Sequence, residues 1–340
     1  MVVPYPDAPV PTPISVVFFG SPSFAVPTLY TLVDDGRFAV RLVVTQPPRP
    51  AGRGRQVQCS AVHEAAENRG VPVATPNRLR DPDVVAMLAA AAPSLCIVAA
   101  YSKILRPEVL AVPTHGTLNL HASLLPAYRG ASPIHGALLD GAAETGVSIM
   151  LMDVGLDTGP VLAQTRMFIS PDATTGSLTD ALAALGAPLL VETAARWLRG
   201  EIVPIPQDDG VATVTHLIKK EDGNVRWELA AARIARMERA YRPWPGVFTF
   251  LAGTRLLLHG LRAVPSAQES ASPGTIVAVN HDGLRVRSGE GDVLVARVQP
   301  EGKSPIAADA YASGHPGLVG LRLAASVNLT PGPSPSSGEG

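Results

Sequence analysis

Residues 118–138 read LNLHASLLPAYRGASPIHGAL and place three kinds of local structure side by side. The apolar alternation that ends at His121 predicts a strand, and Pro126 and Gly130 predict a loop after it. A helix from about Pro133 to Leu139 follows, because proline is well tolerated in the first turn of a helix. A strand, a loop and a helix in this order form the repeating unit of a parallel sheet wound with helices.

The same unit recurs through the first 200 residues. The predicted strands are Ile14 to Phe19, Val40 to Thr45, Val71 to Ala74, Leu95 to Ala100, Thr117 to His121, Gly146 to Asp153 and Val161 to Ile169. The predicted helices are Phe24 to Val33, Ala61 to Asn68, Asp83 to Ala91, Lys103 to Leu110 and Thr175 to Leu198, the last with a kink or break near Gly186 and Pro188. The alternation predicts an α/β fold with a Rossmann-like, mostly parallel sheet and helices on both faces.

A second, smaller domain is predicted after the proline-containing stretch EIVPIPQDDGVATV. Beyond a helix at Trp227 to Tyr241, short strands recur at roughly ten-residue intervals, which predicts a small OB-like β-barrel. The predicted divisions are a flexible N-terminus at 1–13, a catalytic domain at 14–200, a linker at 201–217, the OB-like domain at 218–325 and a disordered tail at 326–340.

Composition and charge exclude several classes of protein. Hydrophobic residues make up 46% of the chain and charged residues 17%, which is too apolar for a disordered protein. The N-terminus lacks the basic and apolar regions of a signal peptide, and no run of about 18 apolar residues predicts a membrane span, so a cytoplasmic location is expected. Cys59 and Cys96 lack the CxxC spacing of a metal or redox site. Basic residues outnumber acidic ones by 14 to 10 at 219–325, which permits RNA binding without demonstrating it.

Two loops at the carboxyl ends of predicted strands are candidates for ligand binding. The first, GSPSF, has only Gly20 where a dinucleotide site needs GxGxxG, so no nicotinamide cofactor is expected. The second, TQPPRPAGRGRQ at 45–56, forms neither helix nor strand easily. Arg49, Arg53 and Arg55 would lie there on an exposed arm, where they either bind phosphates or are simply solvated.

The densest group of polar residues surrounds the strand that ends at His121. Period-two alternation puts Asn119 and His121 on one face of that strand. Asp157, in the turn GLDTGP, is the preferred carboxylate partner of His121. Asp153 is the alternative, and it ranks second because its position could equally be that of a strand cap. These groups suit acyl transfer to an amine. Asn119 would donate to the oxygen that gains negative charge, His121 would accept the amine proton, and Asp157 would orient the imidazole or relay the proton.

Five segments of the chain carry a resemblance to a known family. They are GSPSFAVP, TQPPRPAGRGR, LNLHASLLPAYRGASPI, ETGVSIMLMDVGLDTGPVL and AYRPWPG. Their order is similar to that in the methionyl-tRNA formyltransferases, over roughly residues 14 to 310. The block around Asn119 and His121 also resembles the wider folate formyltransferases, including the enzyme that formylates glycinamide ribonucleotide. The Arg-rich loop, RPWPG and the basic C-terminal domain favour tRNA as the acceptor.

The resemblance implies roles for individual residues. Asn119, His121 and Asp157 match the catalytic trio, and the loop around Arg53 matches an arm that approaches the acceptor end of tRNA. The segment that binds folate is matched by Ser123, Leu124, Leu125 and Pro126. The chain departs from the family's QPDRPAGRG at Pro48, where an acidic residue is expected, and its tail after about residue 326 has no counterpart.

The implied reaction transfers a formyl group from 10-formyltetrahydrofolate to the α-amino group of methionyl initiator tRNA, for the initiation of translation. No metal and no membrane take part, and the expected state is a monomer. Two other functions remain open from the sequence. One keeps the chemistry but formylates a nucleotide sugar or a small amine, and the other is a catalytically silent RNA-binding module that binds no folate.

Overall fold

The computed structural model describes residues 13–51, 56–268 and 270–324, and these fall into two compact units. The first unit contains the described residues up to Ala137, Ala143–Ser170 and Ser177–Leu217, and the second contains Leu138–Ala142, Pro171–Gly176 and the described residues from Ile218 onward. The segment 201–217 therefore groups with the first unit. The predicted division into domains stays a prediction, and the predicted tail lies outside the described residues.

The elements up to residue 217 are as follows. The strands are β1 (Ile14–Gly20), β2 (Phe38–Val44), β3 (Arg49–Ala51), β4 (Gln56–Gln58), β5 (Val73–Ala74), β6 (Leu95–Ala99), β7 (Thr117–His121), β8 (Arg129–Gly130), β9 (Glu144–Leu151), β10 (Val161–Phe168) and β11 (Val214–Thr215). The α-helices are α1 (Val26–Asp34), α2 (Ala61–Glu67), α3 (Pro82–Ala90), α4 (Pro107–Leu110), α5 (Pro133–Asp140) and α6 (Thr175–Leu198). Two 3-10 helices are η1 (Ser23–Ala25) and η2 (Asp209–Val211).

A seven-stranded sheet in the order β10-β9-β7-β6-β1-β2-β5 forms the centre of the first unit. Strands β7, β6, β1, β2 and β5 are mutually parallel. Strands β9 and β10 run antiparallel to their neighbours. Strand β6 is buried along its whole length, as expected for a parallel strand covered on both faces. The predicted mostly parallel sheet flanked by helices is therefore confirmed. It brings the carboxyl ends of five strands to one edge, where ligands bind in such folds.

Three local predictions differ from the structure. The predicted helix at Lys103 to Leu110 begins only at Pro107, because a proline disfavours helical backbone in the residue before it. The segment expected to form no strand contains the antiparallel pair β3 and β4. A kink or break was expected near Gly186 and Pro188, but α6 continues through Pro188 as one helix. Its Gly186 lets the Leu120 side chain approach, since a Cβ there would lie 2.6 Å from Leu120 Cδ1.

Helix α6 is also long and apolar enough to cross a membrane. However, 56% of its most apolar window is buried inside the protein, as is usual for a core helix. The buried residues Leu182, Leu190 and Ala194 belong to this covered part of the helix. Its length and composition are therefore weak support for a membrane span.

The second unit is built around an antiparallel sheet. Its elements are η3 (Lys220–Gly223), α7 (Ala231–Ala240), β12 (Phe248–Leu251), β13 (Thr254–Val264), β14 (Ile276–Asn280), β15 (Gly283–Arg287), β16 (Asp292–Pro300), β17 (Ile306–Ala307) and α8 (Ala308–Ser313). The strand order is β12-β13-β16-β15-β14, with β17 paired to β16. The predicted small β domain is confirmed as an antiparallel sheet. Strand β17 and helix α8 had not been predicted.

Residues 320–324 lie between the two edge strands of this second sheet. Ala324 bridges Phe250 of β12, and Arg322 bridges Thr275 just before β14. The amide of Ile276 also donates to the Leu321 carbonyl at 2.9 Å. A short segment with single bridges thus spans the gap that separates β12 from β14, and an OB-like barrel stays a prediction.

Candidate active site

Strand β7 carries two buried polar side chains at the carboxyl edge of the first sheet. Asn119 is 8% exposed and His121 is 6% exposed, and both occupy positions of the same parity on TLNLH. The strand pairs with β6 on one side and β9 on the other, with Asn119 opposite Val98 and Met150. Central pairing fixes the register, so both side chains are held on one face of the sheet.

The hydrogen bonds of His121 identify which of its nitrogens has a free lone pair. Nε2 lies 3.0 Å from the carbonyl oxygen of Tyr128. Because a carbonyl only accepts hydrogen bonds, Nε2 carries the proton in the neutral imidazole. The lone pair then lies on Nδ1, which is 3.6 Å from Oδ2 of Asp157. The structure thus brings His121 and Asp157 together, with Nδ1 as the nitrogen able to accept a proton.

Asp157 lies in a tight turn that several groups hold in place. Its backbone has φ of 54°, in the left-handed region that Asp and Asn tolerate better than most residues. Its Oδ2 accepts a hydrogen bond from the amide of Gly130 at 2.8 Å. At Gly159 a Cβ would run into the Leu151 carbonyl, so only glycine fits there. The carboxylate therefore has a fixed position beside His121.

Gln207 clamps the same turn and had not been predicted as a site residue. Its Nε2 donates to the carbonyl oxygens of Asp157 at 2.8 Å and Gly159 at 2.7 Å. Its Oε1 accepts from Nε of the buried Arg129 at 3.0 Å. Gln207 belongs to the stretch interpreted as a linker, where the sequence has no periodicity to signal a contact. Pairing of β11 with β8 tethers the same stretch further along.

Asp153, the alternative carboxylate, has a different set of contacts. Its Oδ1 accepts from the amide of Gly155 at 3.0 Å and from the hydroxyl of Thr158 at 2.8 Å. Both partners lie within the turn that follows β9. Asp153 therefore stabilises the turn, whereas Asp157 is the carboxylate beside the imidazole.

Polar side chains of β9 and β10 form hydrogen bonds to the backbone of the predicted folate-binding loop at 123–126. The hydroxyl of Ser148 donates to the Ser123 carbonyl at 2.6 Å and accepts from the Leu125 amide at 3.0 Å. Gln164 Nε2 donates to the Leu125 carbonyl at 2.9 Å. Ser123 and Leu125 are buried, whereas Leu124 and Pro126 are partly exposed. The loop therefore offers mainly the side chains of Leu124 and Pro126 to a ligand.

The predicted RNA-binding arm is described only in part. Arg49 is exposed on β3, which pairs with β4, whereas Arg53 and Arg55 lie outside the described residues. Among the described residues, no group of three or more His, Cys, Asp and Glu side chains is arranged to hold a metal ion. The structure thus places Arg49 on a short hairpin, and the arm's role stays a prediction.

Solved structures with a similar fold include several formyltransferases. The N-formyltransferase from Helicobacter canadensis, solved with folinic acid and dTDP-3-aminofucose, superposes with a TM-score of 0.60 at 16% identity, over 84% of this chain and all of that one. HypX from Aquifex aeolicus, solved with tetrahydrofolic acid, gives a TM-score of 0.54 at 16% identity. The match covers 88% of this chain but only 47% of HypX. At these identities the likeness concerns the fold alone.

Sequence relatives are much closer. Residues 14–194 match the family described as formyl transferase, and residues 217–316 match its C-terminal domain. A methionyl-tRNA formyltransferase from Roseiflexus sp. (strain RS-1) is 48% identical over 94% of this chain and 98% of its own length. One from Myxococcus xanthus (strain DK1622) is 45% identical over 88% of this chain and 95% of its own length. The chain therefore belongs to the formyl transferase family, in the group of relatives named methionyl-tRNA formyltransferase.

Proposed function

We propose that this protein transfers the formyl group of 10-formyltetrahydrofolate to the α-amino group of methionyl initiator tRNA. The acceptor is supported by relatives of that name, which match nearly the whole chain at up to 48% identity. The chemistry is supported by one observation above all, the 3.6 Å approach of His121 Nδ1 to Asp157 Oδ2 at the carboxyl edge of the sheet. The proposal places the protein in the cytoplasm, as a monomer that takes part in translation initiation.

The residues of this edge have complementary parts in such a transfer. The amine nitrogen bonds to the formyl carbon while the bond from that carbon to its donor nitrogen breaks. Nδ1 of His121 accepts the amine proton and returns it to the departing nitrogen. Asp157 stabilises the imidazolium that forms between these steps. Asn119 donates to the formyl oxygen as it gains negative charge, and such a donor is worth about a hundredfold or more in rate.

The loop at Ser123, Leu124, Leu125 and Pro126 fits the formyl donor in chemical character. The polar groups at Ser123 and Leu125 are hydrogen-bonded within the protein. Leu124 and Pro126 keep partial exposure next to the strand that ends at His121. They offer apolar contacts to a flat ring system, and the bound donor supplies the formyl group. Arg49, Arg53 and Arg55 would contact phosphates of the tRNA.

Replacement of His121 by Ala tests the assignment of the base. We expect kcat to fall by at least about a hundredfold, because general-base catalysis contributes that much or more. His281 offers a matched control, since its side chain is 88% exposed in the second unit. His281→Ala should keep the activity of the unmodified protein. Near-full activity of His121→Ala in steady-state formylation would refute the assignment.

A comparison of acceptors tests the substrate. The purified protein is given 10-formyltetrahydrofolate with charged initiator tRNA, charged elongator tRNA or glycinamide ribonucleotide. We expect formylation of initiator tRNA at a kcat/KM well above that of the other two. A preference for glycinamide ribonucleotide would support the small-amine alternative, and tRNA binding without any formylation would support the RNA-binding alternative.

A further inference from the structure

Residues 128–130, just before helix α5, contact both members of the pair formed by His121 and Asp157. Nε2 of His121 donates to the carbonyl oxygen of Tyr128 at 3.0 Å. The amide of Gly130 donates to Oδ2 of Asp157 at 2.8 Å. The positions of the imidazole and the carboxylate therefore depend on the conformation of this short stretch, which we call the bridging segment.

The bridging segment contains a backbone conformation that needs outside support. Tyr128 has φ of 59°, in the left-handed region that a bulky side chain rarely adopts. Such backbone persists only where surrounding contacts hold it. The contacts that hold Tyr128 therefore also hold the acceptor for the imidazole proton of His121.

Two threonines at strand β11 supply these contacts. Thr213, directly before the strand, accepts the Tyr128 amide on its hydroxyl oxygen at 2.7 Å and the Arg129 amide on its carbonyl oxygen at 2.8 Å. The hydroxyl of Thr215 donates to the Arg129 carbonyl at 3.0 Å and accepts from the Ser132 amide at 3.1 Å. The bridging segment is thus bonded along its length to these two residues, which we call the threonine clamp.

The backbone of β11 fixes the direction of both hydroxyls. The strand runs parallel to β8, with Val214 opposite Arg129 and Thr215 opposite Gly130. Successive side chains of a strand point to opposite sides, so Thr213 and Thr215 share one face. Val214 lies between them and is 71% exposed. The threonine clamp therefore presents two hydroxyls to the bridging segment, and its apolar neighbour faces away.

We infer that Thr213 and Thr215 are positioning residues that keep His121 in the tautomer with a lone pair on Nδ1. This inference rests on the proposed function, because His121 is the base of the proposed transfer. Neither threonine touches the reacting groups. They act through the Tyr128 carbonyl, which binds the proton on Nε2, and through the Gly130 amide, which binds Asp157.

The chemistry explains why this carbonyl matters for the transfer. Once the Tyr128 carbonyl moves away, Nε2 loses its acceptor, and the proton can lie on Nδ1 with Asp157 as its acceptor instead. In that tautomer Nδ1 has no lone pair and cannot accept the proton of the amine. The threonine clamp thus controls the fraction of molecules whose imidazole is ready to act as a base.

The kinetic test compares Thr213→Val/Thr215→Val with Thr213→Ser/Thr215→Ser in the full chain. Valine keeps the branched shape of threonine without the hydroxyl, whereas serine keeps the hydroxyl. We expect kcat of the valine variant to fall roughly tenfold, because one net hydrogen bond shifts an equilibrium by up to about tenfold. Its KM for 10-formyltetrahydrofolate and for charged tRNA should stay unchanged. The serine variant should keep most of the activity.

Thr254 provides a matched control, because it is an exposed threonine at the start of β13 in the second unit. Thr254→Val should keep the kcat of the unmodified protein. If the double valine variant does not fold, Thr213→Val alone removes the hydroxyl bound to the Tyr128 amide. That single variant is then judged by the same measurements.

A spectroscopic measurement separates positioning from a merely structural role. NMR of protein with ¹⁵N-labelled histidine shows which ring nitrogen carries the proton, and His121→Ala identifies the signals of His121. With the imidazole neutral, we expect the unmodified protein and the serine variant to carry the proton on Nε2. The valine variant should show a mixture in which part of the population carries it on Nδ1.

Two results would overturn the inference while leaving the proposed function intact. One is a valine variant with the kcat and the His121 tautomer of the unmodified protein. The other is a lower kcat with an unchanged tautomer, which would mean that the threonines only stabilise the fold. An unmodified protein that formylates no tRNA would contradict the proposed function instead, and the tautomer measurement would still test the threonine clamp.

Discussion

Two carboxylates of one turn, Asp153 and Asp157, allow a matched comparison at the scale of single residues. We expect Asp157→Asn to lower kcat by about a hundredfold, because the largely buried imidazolium of His121 loses its counter-charge. Asparagine also tolerates the left-handed backbone at this position, so the fold should persist. Asp153→Asn should change kcat less than about threefold, since its carboxylate caps the turn. Steady-state formylation decides between them, and equal losses would contradict the assignment.

Gln207 is a positioning residue, and its donors can be removed separately from its acceptor. Gln207→Glu keeps an oxygen for Arg129 but cannot donate to the carbonyls of Asp157 and Gly159. We expect kcat to fall about tenfold with an unchanged KM for the folate donor, because each unsatisfied buried group costs about 1–3 kcal/mol and loosens the turn. Gln268, which is exposed in the second unit, provides the control Gln268→Glu. A changed melting temperature without any change in kcat would indicate a purely structural role.

Sequence reasoning reached part of this site for a definite physical reason. Alternation along a strand placed Asn119 and His121 on one face, and the turn residues around Asp157 signalled a loop that could return to the same edge. Neither pattern encodes a contact made by an aperiodic segment far along the chain. Gln207 and the carbonyl of Tyr128 therefore became visible only in the structure.

At the scale of elements, strand β6 buries a titratable thiol. Burial raises the pKa of Cys96 to about 12 from the ordinary value of 9.0. The unfolded chain therefore ionises at lower pH than the folded protein, and stability is lost as pH rises between these values. At pH 10 the loss relative to pH 8 is on the order of 1 kcal/mol, because one pKa unit corresponds to roughly that free energy.

Urea unfolding at pH 8 and pH 10 measures this loss. The free energy of unfolding of the unmodified protein should fall more than that of Cys96→Ala between the two pH values, by on the order of 1 kcal/mol, because other titrating groups cancel in the comparison. Cys59 is exposed, so Cys59→Ala should behave like the unmodified protein. An equal pH dependence in all three proteins would mean that the Cys96 thiol does not titrate differently on unfolding.

The starting residues of strands and helices were predicted best where the hydrophobic residues follow a strong periodic pattern. Strands β1, β6 and β7 and helices α2 and α3 begin within a residue or two of their predicted starts. Helix α4 was predicted to start at Lys103 but starts at Pro107, because a proline disfavours helical backbone in the residue before it. The β3 and β4 pair was missed because three-residue strands leave too short an alternation to detect.

At the scale of the whole molecule, the unit boundary makes a prediction about shortened chains. A chain that ends at Leu217 retains β11 and Gln207, whereas one that ends at Gly200 loses both. We expect the longer form to show a rise in melting temperature with a folate analogue, because ligand binding to the folded state stabilises it. The shorter form should show a smaller rise or none. Equal responses would mean that residues 201–217 do not support the site.

The hairpin of β3 and β4 lowers the entropic cost of the RNA contact proposed for this arm. Ordering a free backbone costs about 1–2 kcal/mol per residue. Three residue pairs, from Arg49 with Gln58 to Ala51 with Gln56, already share a ladder in the free protein. These residues therefore do not have to be ordered again when the arm binds. We expect the hairpin to bind as a preorganised segment, with a smaller entropic cost than a segment that folds on binding.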